Sequence, residues 1–554
     1  MKKIGIILDS TNCNRYLHNS IRQLAQNSHI QLVFLVNRGG RAPTGILAKI
    51  KNMVRARGMR RCFQLVAFKL MSAVEMSILS YFLKHLKEHR KTFSLLQFCG
   101  GNIVHVQPSF SKSGIVVRYD AMEIERIKAL GLDLIVRGNA AGIFKGEIVS
   151  AAKDGIISYH HGDNRWNRGG PPGFWEVYGR RASTGFIIQI LSEELDGGNV
   201  LFRGSVSTCR SYTENIVKLY SESSPCLADL LNRYAVSGVL PAGEEKTPYS
   251  GVILVAPTII QLALYCWKTS LLFTSLAVSR CVLRRRDRWQ VAYYPAGWTG
   301  AILHKGRRIE NPAGRFFADP FVVTKHNRTI CFVEDYSYKD KIACITAVEI
   351  RDSEVYSILG PIIQEPFHMS FPFLFEYQHE LYMVPETAKA NAIRLYKCVD
   401  FPLKWKYQGD LMSDCRAADS MVFETGDKWW LLTNLATREN GDVSAQLSAF
   451  YSQNPLGKDW TPHRCNPLVF NSEFARNGGL LDVGTAHPVR VRQIQGFDSY
   501  GCGATLARLT EITAGSFVEE QIGEIVPRFF PGIRGAHHMH GNDQYTVYDF
   551  CRRE

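Results

Sequence analysis

Three copies of one strand pair constrain the second half of this chain more than any other feature. Ala318-Asp-Pro-Phe-Val-Val323, Ser370-Phe-Pro-Phe-Leu-Phe375 and Ala418-Asp-Ser-Met-Val-Phe423 each precede a second apolar strand. These partners are Ile330-Cys-Phe-Val-Glu-Asp335, Leu381-Tyr-Met-Val-Pro-Glu386 and Trp429-Trp-Leu-Leu-Thr-Asn434. A strand-rich period of about 50 residues has the length of a four-stranded propeller blade. Weaker echoes begin near His487 and Gly535. Roughly 265 residues at ~50 per blade predict an all-β, five-bladed propeller over 290–554.

The first half follows a different rhythm. Short apolar runs at Ile4–Leu8, Leu32–Val36, Leu132–Val136 and Ile156–Tyr159 alternate with helically spaced residues, among them Leu17, Ile21 and Leu24, then Ile124, Ile127 and Leu130. This predicts an α/β domain over 1–240 with a mainly parallel sheet and helices on both faces. Ile143–Lys153 reads as helix-like. Val74, Ile78, Phe82 and Leu86, spaced by four beside Lys84, Lys87 and Arg90, form an amphipathic helix expected to pack on the sheet, with a membrane surface as the alternative. The intervening 241–289 is an apolar helical linker. Its stretch Gly251–Ser279 is open to three readings: a packed helix, a membrane-surface helix, or a span.

Net charge is +15, concentrated in Lys49, Lys51, Arg55, Arg57, Arg60 and Arg61 and in Arg280, Arg284, Arg285, Arg286 and Arg288. Such clusters attract anionic surfaces or remain solvated faces. Membrane-surface association is one expectation, nucleic acid is not a predicted partner, and the oligomeric state is left open. The 14 cysteines are scattered without a CxxC pair or zinc spacing. The opening Met1–Ser10 reads as a first strand and not as a secretory segment. The expected location is cytoplasmic, peripheral on a membrane if the basic clusters dock there.

The densest polar cluster, Gly155–Trp175, begins on the Ile156–Tyr159 strand and places His160 at its carboxyl end, where open α/β sheets bind ligands. Asp196 lies in the turn after the Thr184–Leu191 strand. A histidine and a carboxylate delivered by separate strand ends can share one proton-transfer site. Asn139 occupies the bend after the preceding strand, and Asp163 and Arg168 sit in the glycine-rich loop.

These residues resemble the formyltransferases that use 10-formyltetrahydrofolate. That family carries Asn-x-His, then a basic-Gly pair, Thr-Gly and an Asp-x-Gly turn. Here His160, Arg168-Gly169, Thr184-Gly185 and Asp196-Gly197-Gly198 match, and 36 residues separate His160 from Asp196. Ser158 replaces the family asparagine, and His161-Gly-Asp-Asn-Arg165 replaces the usual loop. The resemblance implies His160, Asp196 and Ser158 as catalytic residues, with His161, Asp163, Arg168, Gly169 and Asn139 binding substrate or cofactor. It implies 10-formyltetrahydrofolate as co-substrate, no metal, and an amine acceptor on an amino sugar, nucleotide- or lipid-linked, or on a similar metabolite.

The repeat region resembles the module of plant glycosyltransferases acting on inositolphosphorylceramide and, more distantly, five-bladed arabinanase-type glycosidases, which place three acids on a central channel. Asp319, Glu386 and Asp419 are the matching acids, with His537 and His538 in the last blade. The expected function is N-formyl transfer. Amide hydrolysis on the same scaffold and a carbohydrate-binding or glycosyl-transferring propeller protein are the alternatives.

Overall fold

The structure, a computed structural model, describes every residue except 39–57, 112–114, 247, 284 and 437–440. Lys49, Lys51, Arg55, Arg57 and Arg284 of the two basic clusters therefore lie outside the described residues. The chain divides into two compact units, Met1–Phe273 and Thr274–Glu554.

The first unit is built on a seven-stranded sheet of β1 (Lys2–Leu8), β2 (Ile30–Asn37), β3 (Ile103–Val106), β4 (Leu134–Arg137), β5 (Ile156–His160), β6 (Ser183–Ile190) and β7 (Asn199–Ser207), in the order β7-β6-β5-β4-β1-β2-β3. Strands β3, β2, β1, β4 and β5 run parallel, and β6 and β7 add antiparallel at one edge. The central strands are buried on both faces, which is why they read as unbroken apolar runs such as Ile4, Ile6, Ile7 and Leu8. Helices α1 (Arg15–Ala25), α2 (Met59–Phe82), α3 (Ala121–Lys128), α4 (Phe174–Tyr178), α5 (Tyr212–Ser237) and α6 (Ile259–Ala277) complete the elements used below. Asn14 caps α1 through Leu17 N, and Asp120 caps α3 through Glu123 N, as short polar side chains do at helix starts. One core cluster joins Ile21 and Leu24 of α1 and Leu227, Leu231 and Tyr234 of α5 to the sheet.

Two expectations need correction. Ile143–Lys153 is a two-residue strand, Ile143–Phe144, followed by one 3-10 turn at Glu147–Ser150, because Gly146 takes φ 82 and breaks the helical run. Helix α2 ends at Phe82, and Val74, Ile78 and Phe82 face solvent; its buried side instead carries Cys62, Phe68, Met76 and Ser80. Spacing by four identified one face of the helix but not which side the protein would cover.

The second unit is strand-rich. Four antiparallel sheets start at Arg315, Ser370, Ala417 and Asn477, and their paths run through successive strands. A fifth joins the two ends of the unit: Asp287–Tyr294 pairs along its length with Thr546–Arg553. The repeat carries a recurrent backbone break. The first and second strands lose register between Ala318 and Phe321, Ser370 and Phe373, Ala418 and Met421, and Asn477 and Leu480. At the start of three of these bulges Asp319, Phe371 and Asp419 take φ of 48, 47 and 47. Left-handed backbone at non-glycine residues is costly, and such outliers gather at functional sites.

Candidate functional site

Strand β5 delivers His160 between a parallel and an antiparallel neighbour. The β6–β7 turn delivers Asp196 in the left-handed region, φ 52. Gly198 is required beside it, since a Cβ there would lie 2.1 Å from Ile190 O. The turn brings Asp196 Oδ2 to 3.2 Å from His160 Nδ1, with both side chains largely buried. Gly169 N donates to the same Oδ2 at 3.0 Å, and Asn164 Nδ2 donates to Asp196 O at 2.9 Å. The far ring nitrogen, His160 Nε2, lies 2.8 Å from Asn167 O. A carbonyl only accepts, so Nε2 carries a proton in this contact. On its other side Nδ1 faces Asp196 Oδ2, so the ring is held between a carboxylate and a carbonyl.

The loop after His160 is held from several sides. Arg168 Nε donates to Asn164 O at 3.0 Å, its guanidinium pairs with Glu194, and it lies 4.5 Å from the Tyr249 ring centroid. Arg168 and Gly169 pair with Ile253 and Leu254, and Gly169, at φ 107, has no room for a side chain against Leu254 O. Gly185 lets Asp163 approach, because a Cβ there would lie 2.8 Å from Asp163 Cβ. Asp163 pairs with Arg203 at 2.6 Å and Arg165 at 2.5 Å; burial pushes its carboxyl up, and the two arginines outweigh that and hold it below its ordinary value. A cleft of about 240 Å³ opens beside this loop, lined by Arg165, Arg168, Arg203, Lys246 and Tyr249 together with Glu194, Glu244 and Glu245. Its charges are mixed: Arg168 pairs with Glu194, Arg203 with Asp163 and Glu244 and Arg165 with Asp163.

Thus His160, Asp196 and Gly169 come together, with Arg168 and Asp163 in the same loop. The other expected residues are engaged elsewhere. Ser158 is buried on β5 and donates to Tyr159 O at 3.1 Å. His161 stacks on Tyr159 and meets the edge of Tyr220, centroids 5.1 and 4.3 Å away; desolvation pushes it down to about 3, so it is neutral. Asn139 ties loops, accepting from Asp9 N and donating to Ser10 O and Asn12 O. Sequence reasoning missed Asn167 and Glu176. Asn167 Nδ2 donates to Glu176 Oε1 at 2.8 Å, and Glu176 is fully buried, which pushes its carboxyl up to about 7. An acid followed by aromatic and apolar neighbours within Gly-Phe-Trp-Glu-Val-Tyr was the available signal.

The second unit holds a buried charged cluster. Arg476 pairs with Asp419 at 2.5 Å and with Glu386 at 3.2 Å, and Gln493 donates to Asp419 at 3.2 Å. His537 lies 3.8 Å from Asp319 and 2.6 Å from Asp549, and Trp289 stacks on it at 3.9 Å. Tyr500 links the two groups, its ring 5.8 Å from the Arg476 guanidinium and 5.2 Å from the His537 ring, so Asp319, Glu386, Asp419 and His537 share one network with Arg476 and Asp549, two residues the sequence did not single out. His538 Nδ1 also lies 3.8 Å from Asp319. Burial pushes Asp319 and Asp419 up to about 7 each. It also pushes Glu334 well up, with neighbouring Asp319 and Glu386 adding to the rise. His537 is pushed down by burial, but Asp549 outweighs this and raises it overall. Ligand atoms of Asp319, His537 and Asp549 all lie within 4.8 Å of one another, a grouping able to hold a metal ion. Register explains why Glu334 escaped notice. It pairs opposite Ala318 as Glu386 pairs opposite Ser370, whereas counting from the strand starts aligns Glu386 with Asp335.

Comparison with known proteins divides along similar lines. Residues 304–529 match the family described as glucosamine inositolphosphorylceramide transferase 1, N-terminal. Glucosamine inositolphosphorylceramide transferase 1 of Oryza sativa subsp. japonica is 33% identical over 171 residues, 30% of this chain and 23% of that protein. The Arabidopsis thaliana protein of the same name is 30% identical over 210 residues, 37% of this chain and 27% of that protein. The chain spans about a quarter of the length of these plant relatives. Methionyl-tRNA formyltransferase of Bacillus subtilis (strain 168) is 31% identical over 135 residues, 23% of this chain and 42% of that protein. Among solved structures, a sugar N-formyltransferase from a Shewanella species is similar at 14% identity, covering 49% of this chain and 88% of that one, TM-score 0.28. A family 117 glycoside hydrolase from Zobellia galactanivorans is similar at 10% identity, covering 48% and 90%, TM-score 0.33. The relatives matched in sequence are transferases, and this chain is similar to both a glycan-transferring and a formyl-transferring kind.

Proposed function

We propose that the first unit transfers a formyl group to the amine of an amino sugar, nucleotide- or lipid-linked, or of a similar metabolite. The observation that carries this reading is the His160–Asp196 pair, 3.2 Å apart at a strand end. The donor, 10-formyltetrahydrofolate, supplies the formyl carbonyl. When the amine attacks the formyl carbon, negative charge grows on the carbonyl oxygen. His160 Nε2–H is the donor available to that oxygen, once the substrate displaces Asn167 O from it. Asp196 fixes the ring and is the base of the pair that takes the amine proton; the tetrahedral adduct then collapses by breaking the bond from the formyl carbon to the donor nitrogen, which picks up a proton and leaves as tetrahydrofolate. Ser158, already donating to a backbone carbonyl, leaves that work to His160.

The test is incubation of the full chain with 10-formyltetrahydrofolate and aminated sugar nucleotides, with formylated product read by mass spectrometry. Loss of product in His160→Ala and Asp196→Asn supports the assignment. Product formation that is indifferent to both substitutions refutes it.

A second reading rests on the other cluster. The five sheets of the second unit are, in this reading, the blades of a five-bladed β-propeller, and Asp319, Glu386 and Asp419 serve glycan recognition or glycosyl transfer. The convergence of acids from different repeats on Arg476 favours it. Asp419→Asn abolishing glycan binding while formylation persists would separate the two roles.

A further inference from the structure

Helix α2 is amphipathic in the inverse sense. Met59, Phe63, Val66, Leu70, Val74, Ile78, Tyr81 and Phe82 follow one another at helical spacing and all are exposed, Phe63 at 64%, Leu70 at 65% and Tyr81 at 82%. The polar atoms lie on the opposite side: Glu75 accepts from Thr213 N of α5 at 2.6 Å and from Tyr265 of α6 at 2.6 Å. Helix α6 repeats the pattern. Leu262 and Tyr265 are buried with Phe68 and Phe174, while Ile260, Leu264, Trp267 and Leu271 are exposed, as are Val252, Ile253 and Val255 just before the helix. Isolated exposed apolar residues are ordinary; two helices joined through Phe68, Tyr265 and Glu75 that expose their apolar residues as stripes mark a surface made for an apolar environment.

We infer that α2 and the start of α6 form a docking surface for an anionic lipid bilayer, lying in the interface without spanning it. Both helices are long and apolar enough to cross a membrane. They are nevertheless tied along one side to the folded unit, through Glu75 to α5 and through the Phe68–Phe174–Tyr265 cluster, so only their outer faces are available to lipid. Charge selects the lipid. Between Met59 and Phe82 the one acid is Glu75, which faces inward, whereas Arg60, Arg61 and Lys69 are exposed; Ile259–Leu283 contains no acid at all. Cationic side chains beside an apolar stripe, with Tyr81 and Trp267 among the exposed rings, have the composition of interfacial helices. The same charge argues against a second copy as occupant, because two such faces would set cation against cation.

The surface stands independently of the chemistry at His160. It is tested by co-sedimentation of the full chain with vesicles of phosphatidylcholine alone and with phosphatidylserine added, at low and high salt. Binding is expected to the serine-containing vesicles at low salt and to fall with salt. Arg60→Gln with Arg61→Gln is expected to weaken it roughly twenty-five-fold, at about five-fold for each cation near the surface. Leu70→Glu with Trp267→Glu, both at exposed positions, is expected to abolish it while circular dichroism stays unchanged. Absence of binding to anionic vesicles at low salt overturns the inference. So does retained binding in the folded double-glutamate variant, or sedimentation showing that this face closes a dimer.

Discussion

Arg476→Met isolates the energetics of the buried cluster in the second unit. In the intact protein Arg476 neutralises Asp419 at 2.5 Å and reaches Glu386 at 3.2 Å, and all three lie largely out of water. Methionine keeps much of the volume and removes the charge. Breaking a buried pair from one side costs about 3–5 kcal/mol, because the remaining carboxylate is left uncompensated. For a unit of this size each kcal/mol moves the melting temperature by about 2–4 °C, so a fall on the order of 10 °C is expected at pH 8. The penalty depends on proton occupancy. Asp319 and Asp419 sit at about 7 in the fold, raised above the ordinary carboxylate range mainly by burial. A raised carboxyl binds its proton more tightly folded than unfolded. Its stabilising contribution is therefore complete below about pH 4 and lost as pH rises through 7. At pH 5.5 Asp419 is protonated in the fold, and the missing guanidinium matters less. Thermal unfolding followed by circular dichroism at the two pH values should show a markedly smaller shift at pH 5.5. Equal shifts at both pH values, or none at pH 8, would refute the electrostatic account of this cluster.

Three further outcomes follow from the first unit. Asp196→Asn removes the carboxylate that orients His160 and should lower formyl transfer about 10²–10³-fold, the scale of losing an oxyanion-stabilising group, measured as steady-state kcat. Gly162→Ala would place a methyl group 2.7 Å from His160 Nε2 and 3.2 Å from Asn167 O. It should force that contact apart and destabilise the unit by about 1–3 kcal/mol in urea unfolding. Glu176 is raised by burial to about 7, so its contribution is full below about pH 4 and lost as pH passes 7. Glu176→Gln should accordingly raise the melting temperature at pH 8 relative to the parent and leave it little changed at pH 5; a fall at pH 8 would show that the ionised form is the one the fold requires.

Much of this arrangement is legible in the sequence because it is enforced locally. The central strands of the first unit are buried on both faces, so Ile4–Leu8 and Leu132–Val136 stand out as apolar runs, and a strand end followed by glycines marks where His160 must emerge. The Asp-Gly-Gly turn is similarly readable, since only glycine fits against Ile190 O. What the sequence leaves dark depends on contacts remote in the chain. Nothing near Asn167 reveals that its carbonyl will cover His160 Nε2, and nothing in the spacing of Val74, Ile78 and Phe82 says that the covered side of the helix will be the one bearing Glu75. Glu334 was obscured by a different cause. Register across a bulge shifted its equivalence to Glu386 by one residue, and in a strand one residue exchanges the two faces.

The two clusters also differ in how each must be opened to work. At His160 every hydrogen-bonding position is already taken: Nδ1 by Asp196, Nε2 by Asn167 O, and Asp196 in turn by Gly169 N. A formyl oxygen gains the Nε2 proton by replacing one carbonyl with another, so the exchange is nearly balanced in hydrogen bonds and the difference lies in the charge that develops on the incoming oxygen. In the proposed formyl transfer, binding energy at this site is realised in the transition state and not in the ground state. In the second unit Asp319 Oδ1 and His538 Nδ1 are buried 3.8 Å apart, too far for a hydrogen bond between them. Buried polar atoms so spaced favour a ligand that bridges them, which is binding in the ground state. On the proposed reading the His160–Asp196 pair carries the chemistry and the Asp319–Asp419–Arg476 group serves ligand recognition.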